Sequence, residues 1–154
     1  MCKVQISKSG STPFNFKISV DEIELNDEID GINFEGNVEV DGKIIDGGKA
    51  FNVKGTIKYK KSFICDRCLT PTTQNQVCEF EEELERGEIK DETADLTEII
   101  RDTLIASQPI KNICMEDCKG LCPVCGKNLN EGDCKCDRFV ADPRLEALKN
   151  FLIE

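Results

Sequence analysis

The sequence predicts an α+β protein: a predominantly antiparallel β-sheet domain with one packed helix, then a small C-terminal zinc-ribbon-like module and a terminal helix. Three observations predict it. Apolar residues alternate with polar ones up to about residue 87, a single stretch then changes to helical period, and six cysteines follow within the 23 residues from Cys114 to Cys136. With 154 residues, the chain is long enough to bury a sizeable core. The expected boundary separates a sheet domain over 1–112 from a cysteine-rich module and terminal helix over 113–154.

The elements follow in order. Phe14, Phe16 and Ile18 alternate with polar neighbours, as do Ile32, Phe34, Val38 and Val40, then Phe51, Val53, Ile57, Tyr59 and Phe63. These are half-buried antiparallel strands. Asp41-Gly42 and Asp46-Gly47-Gly48 tolerate positive φ and supply reversals between them. Residues 19–30 are acidic without a clear period and read as turn or short strand, while Val77 to Leu84 adds a strand despite its glutamates. Residues 85–94 are charged, contain Gly87 and read as a mobile connection. A helix over about 96–107 places Leu96, Ile99, Ile100, Thr103 and Leu104 on one face; Asp95 caps it with Glu98 three residues on, and Pro109 ends it. Asp142-Pro143 starts a terminal helix with Leu145, Leu148, Phe151 and Leu152 on one side.

Composition narrows the chemistry. There is no histidine, which removes the commonest general base, the catalytic pairs built on it and every imidazole ligand. The net charge of −10 repels phosphate backbones and anionic membranes, so any RNA contact needs a local patch. No apolar run approaches a membrane span and no signal pattern opens the chain, so a cytoplasmic protein with reduced thiols is expected. No small-molecule substrate is expected. The chemistry falls to ten cysteines.

Cys122-Pro123-Val124-Cys125-Gly126 is a zinc knuckle: two intervening residues let a tight turn bring both sulfurs to one ion, and the glycine lets the backbone fold back. Cys134 and Cys136 supply two more ligands across a short loop. Cys65 and Cys68 end a strand, and Cys114 and Cys118 stand four apart just after the helix; each pair is half a site. The favoured partition joins Cys65, Cys68, Cys114 and Cys118 around one ion and Cys122, Cys125, Cys134 and Cys136 around another, because short loops cost less closure entropy. A competing partition groups Cys114, Cys118, Cys122 and Cys125, leaving Cys65 and Cys68 to Cys134 and Cys136. Four thiolates without an open position fit two closed structural zinc sites, with a rubredoxin-like iron site chemically open. Cys65 and Cys68 also form a Cys-x-x-Cys pair, the pattern of a redox dithiol or metal-transfer site. Cys2 and Cys78 have no partner at ligand spacing and read as a terminal thiol and a small core hydrophobe.

Between Lys43 and Arg67 seven cations face two acids, a local net charge of +5. Lys54, Lys58 and Lys60 share one strand parity; with Lys61 and Arg67 they are the candidate RNA contacts. Glu79, Glu81, Glu82, Glu83, Glu85 and Glu88 are the opposite extreme, a solvated run that can also mimic phosphate toward a basic ribosomal protein.

The run Cys65-Asp66-Arg67-Cys68-Leu69, the segment from Asp95 to Pro109, the stretch from Cys118 to Asn130, Cys134-Lys135-Cys136 and Asp142-Pro143-Arg144-Leu145 together resemble the bacterial YceD family. Its members are called large ribosomal RNA subunit accumulation proteins. The resemblance implies a non-enzymatic part in ribosome biogenesis, with large-subunit ribosomal RNA or its precursor particle as the partner. It also implies that the C-terminal cysteine cluster is a lineage-specific addition, since members similar to the Gram-negative branch keep only the first Cys-x-x-Cys.

Overall fold

The computed structural model describes residues 2–6, 13–21, 33–89 and 91–137. The strands are β1 (Lys3–Gln5), β2 (Phe14–Val20), β3 (Asn33–Phe34), β4 (Val38–Asp46), β5 (Ala50–Ile64), β6 (Pro71–Glu85) and β7 (Thr93–Asp95); the helix α1 spans Thr97–Ala106. The chain divides into two compact units, one of Met1–Ile64 with Pro71–Asn112 and one of Cys65–Thr70 with Ile113–Glu154.

The first unit is built on a long antiparallel hairpin. All fifteen residues of β5 pair with β6, from Ala50↔Glu85 to Ile64↔Pro71. The other edge of β5 is shared, with β4 pairing residues 51–58 and β3 pairing 61–62, while β2 continues the sheet beyond β4. Alternation therefore sorts the strands into two faces. Val38, Val40 and Ile44 of β4, Val53, Ile57 and Tyr59 of β5, and Phe80 and Leu84 of β6 are buried in one cluster with Leu96, Ile100 and Leu104. Gly42 and Gly55 face each other across β4 and β5. A Cβ on Gly42 would lie 2.5 Å from the Phe16 ring, and one on Gly55 would lie 2.7 Å from the Phe80 ring, so both positions exclude a side chain.

Several expectations change. The glutamates of β6 do not shorten it, because all are exposed: Glu79, Glu81 and Glu83 lie on the outer face, and Glu82, on the parity of Phe80 and Leu84, still reaches solvent. Residues 85–94 are not a mere connection: they hold a short 3-10 turn, Arg86–Glu88, and β7, which pairs with β1 through Lys3↔Asp95, Val4↔Ala94 and Gln5↔Thr93. The helix is capped differently too. The Asp95 carboxylate accepts from the Thr97 backbone amide at 3.1 Å and from the Thr97 hydroxyl at 2.6 Å, a local turn in place of a box with Glu98. Cys2 is not a loose terminal thiol but a core residue at 2% exposure, with its carbonyl accepting from the Leu96 amide; Cys78 packs half-buried against the same core. The acidic stretch begins as strand, since β2 runs to Val20. Ile32, the rest of that stretch and the helix expected from Asp142 lie outside the described residues.

Candidate metal centres

The second unit owes its shape to two turns of the same design. In the first, the Leu69 amide donates to the Cys65 carbonyl at 2.9 Å and the Cys65 amide to the Thr70 carbonyl at 3.0 Å. In the second, the Gly126 amide donates to the Cys122 carbonyl and the Cys122 amide to the Lys127 carbonyl, both at 2.8 Å. Each turn needs a left-handed residue after its second cysteine. Gly126 supplies it at φ 72°, and Leu69 adopts it at φ 55° despite its side chain. The chain after Cys118 then lies along the first turn. The Leu121 amide donates to the Arg67 carbonyl at 3.2 Å, the Arg67 guanidinium to the Cys118 carbonyl at 3.0 Å, and Leu121 bridges Asn128 in a small antiparallel ribbon.

These turns gather eight cysteines as two groups, Cys65, Cys68, Cys114 and Cys118, and Cys122, Cys125, Cys134 and Cys136. Within each group all sulfurs lie within 4.8 Å of one another. In the first, Cys65 Sγ is 3.9 Å from Cys118 Sγ, and Cys68 Sγ is 3.6 Å from Cys114 Sγ. Four sulfurs at 2.3 Å from a central ion define a tetrahedron with edges of about 3.8 Å, whereas a disulfide would require about 2.05 Å. The donor set and spacing therefore fit a tetrathiolate metal ion. This is the first of the two partitions.

Hydrogen bonding prepares the sulfurs for that role. The Cys65 thiol is lowered to about 6, first by the Cys68 amide and then by the Cys114 and Arg67 amides, against the opposing effect of burial. Cys122 is likewise lowered to about 6 by the amides of Cys125 and Val124. Cys68 is lowered by the Thr70 hydroxyl and amide. Their neighbours move the other way: burial pushes Cys114 up to about 12, and a shared hydrogen bond with Cys125 does the same to Cys136. Asn130 Nδ2 adds a donor to Cys118 Sγ at 3.3 Å. The two groups differ in shelter. Cys65, Cys68 and Cys118 are buried, while Cys125 is exposed and Cys134 and Cys136 are half-covered.

The basic strand does not make an isolated patch. Lys54, Lys58 and Lys60 share the outer face of β5, but Lys54 is ion-paired with Glu81, Lys58 lies 4.0 Å from Asp41, and Lys60 lies 3.0 Å from Glu35. Lys61 has the opposite parity and turns inward to 3% exposure. Its ammonium donates to Gln108 Oε1 at 3.0 Å and Asn112 Oδ1 at 3.1 Å, and burial holds its pKa below 10.5. Arg67 is spent on the Cys118 carbonyl. Sequence reasoning passed over Gln108 and Asn112; the signal for them was the parity of Lys61, whose inward ammonium demands acceptors.

Fold and sulfur geometry define an antiparallel-sheet protein with a small cysteine-rich module suited to metal. Residues 53–152 match the family described as large ribosomal RNA subunit accumulation protein YceD, and the chain belongs to that family. It is also similar to an uncharacterized protein of Mycobacterium bovis and to two of Mycobacterium tuberculosis, each 34% identical over 88 residues. Those matches cover 48% of this chain and 42% of each relative, so the chain spans less than half the length of these proteins. No solved structure matches it. Among the described residues no helix is long and apolar enough to cross a membrane.

Proposed function

We propose that this is a cytoplasmic, non-enzymatic zinc-binding factor in large-subunit ribosomal RNA accumulation, and that it acts by binding a precursor of that subunit. The observation that carries the metal part is the arrangement of eight cysteines as two tetrads, the sulfurs of each within 4.8 Å of one another. Two zinc ions would be held by Cys65, Cys68, Cys114 and Cys118 and by Cys122, Cys125, Cys134 and Cys136. Full burial of Cys65 favours this over a redox dithiol or metal-transfer site, which must admit a reaction partner. Family membership supports the ribosomal part.

RNA contact is assigned to Lys54, Lys58 and Lys60 on the outer face of the sheet. Each would exchange a carboxylate neighbour for a phosphate, so binding depends less steeply on salt than the local charge of +5 implies. A second reading is favoured by one observation: Glu79, Glu81, Glu82, Glu98 and Asp102 line a groove beside β6 and α1 that no lysine or arginine lines. That groove would hold a basic ribosomal protein without touching RNA. Crosslinking in growing cells separates the two. Trapped ribosomal RNA supports the first; trapped protein without RNA overturns it in favour of the adaptor. Elemental analysis of protein purified without added metal should find two zinc ions per chain, and iron or no metal would overturn the cofactor assignment.

A further inference from the structure

We propose that the free edge of β6 takes an extended, lysine- or arginine-rich protein segment as an added strand, seated beside the groove between β6 and α1. Strand addition deepens the second reading above and rests on it; RNA contact at the outer-face lysines neither requires nor forbids it. Strand and helix both belong to the first unit. All fifteen residues of β6 pair with β5 and, among the described residues, with no other strand. In an antiparallel pair, alternate residues turn their amide and carbonyl away from the partner. From Asn75 to Leu84 these outward groups have no backbone partner among the described residues. Such a row of donors and acceptors is a template for another chain, which is why edges are ordinarily kept short. Fifteen residues is well beyond the usual strand.

Charge decides which chain can use the edge. Glu81 is ion-paired with Lys54, whereas Glu79 and Glu82 of β6 and Glu98 of α1 have no lysine or arginine as ion-pair partner among the described residues. A second copy of the chain is a poor guest. Paired antiparallel about Glu82, its Glu83 would meet Glu81 and its Glu85 would meet Glu79, and like charges directly opposite repel. A basic segment meets the opposite field. Its side chains alternate, so those of one parity would lie beside Glu79, Glu81 and Glu83 on the outer face. Those of the other parity would enter the groove, where Ile99 and Ala106 offer apolar surface and Glu82, Glu98 and Asp102 offer carboxylates. Charges that merely guarded the edge would need no apolar floor between them. The segment that fits is therefore basic at every second position, with apolar residues between, and main-chain pairing supplies the rest of its affinity.

An alternating lysine–valine octapeptide tests this on the full chain, with binding read by fluorescence anisotropy and amide exchange followed by NMR. The peptide should slow exchange at alternate amides between Asn75 and Leu84, those turned away from β5. Methylating alternate backbone nitrogens of the peptide keeps every charge and should weaken binding at least about tenfold, because several main-chain hydrogen bonds are lost together. Glu79→Gln/Glu82→Gln, at two exposed positions, should weaken it about tenfold at low salt. A glutamate–valine peptide should not bind. Failure of the lysine–valine peptide to bind, equal binding of its methylated form, or protection that spares β6 would overturn strand addition while leaving the adaptor reading in place. Crosslinking in cells that traps ribosomal RNA and no basic protein would remove the adaptor reading itself, a result distinct from each of these.

Discussion

The two units solve the same problem with different materials. In the sheet unit, Val38, Val40, Ile44, Val53, Ile57, Leu96, Ile100 and Leu104 are almost wholly buried, so removal of apolar surface from water stabilises the fold. Among the described residues, the second unit has no comparable interior. Its buried cluster there is Cys65, Cys68 and Cys118, with Ile113 and Cys114 packed partly against it, and Cys122 and Leu129 are the other buried apolar residues described. A segment with so little to bury cannot offset its own conformational entropy by the hydrophobic effect. A tetrathiolate ion, contributing on the order of 10 kcal/mol, can. The lesson is that a chain can be half oil drop and half coordination compound, and that the halves should fail under different insults.

The largest test of that contrast is chelation. Stripping metal should abolish amide protection in residues 65–70 and 113–137 and leave β4, β5 and β6 as slow to exchange deuterium as before. Persistent protection around Cys122–Gly126 after complete metal removal would show that the contrast is false. The reverse insult is smaller. Ile57→Ala should cost the sheet unit about 2–5 kcal/mol in denaturant unfolding, while metal content stays at two per chain. A fall in metal content at native conditions would mean that the halves share one fate.

The smallest effect sharpens the comparison through pH. The Asp95 carboxyl is held below its ordinary 3.8, first by the Thr97 hydroxyl and then by the Thr97 amide. Its contribution is therefore complete above that value and disappears as pH falls through the lowered one. Asp95→Asn should flatten the stability of the sheet unit across that acid range, and Asp95→Ala should cost about 1 kcal/mol at neutral pH. A variant with the wild-type acid profile would show that the turn contributes nothing.

Much of the sheet was legible because its strands obey a period of two and its core residues fall on one parity. The cysteine tetrads were legible because closure entropy favours near partners, and the Cys-x-x-Cys turns need little else. Other features depend on register, which sequence alone leaves open. The basic stretch looked like a patch because its acids lie on other strands; only the ion pairs Lys54–Glu81, Lys58–Asp41 and Lys60–Glu35 reveal how the field is neutralised. The ribbon of β1 and β7 escaped notice because three-residue strands carry too short a pattern. Leu69 hid the likeness of the two turns, since a branched residue seldom adopts the conformation that Gly126 takes freely.

The first centre joins residues 46 to 53 positions apart in the chain, and no other described part of residues 113–118 is sheltered as Cys118 is. Nutritional scarcity of the ion would therefore produce a half-finished molecule, its front intact and its rear open to proteases. Cellular abundance of the protein would follow mineral supply, a coupling written into the sulfur positions with no regulator between.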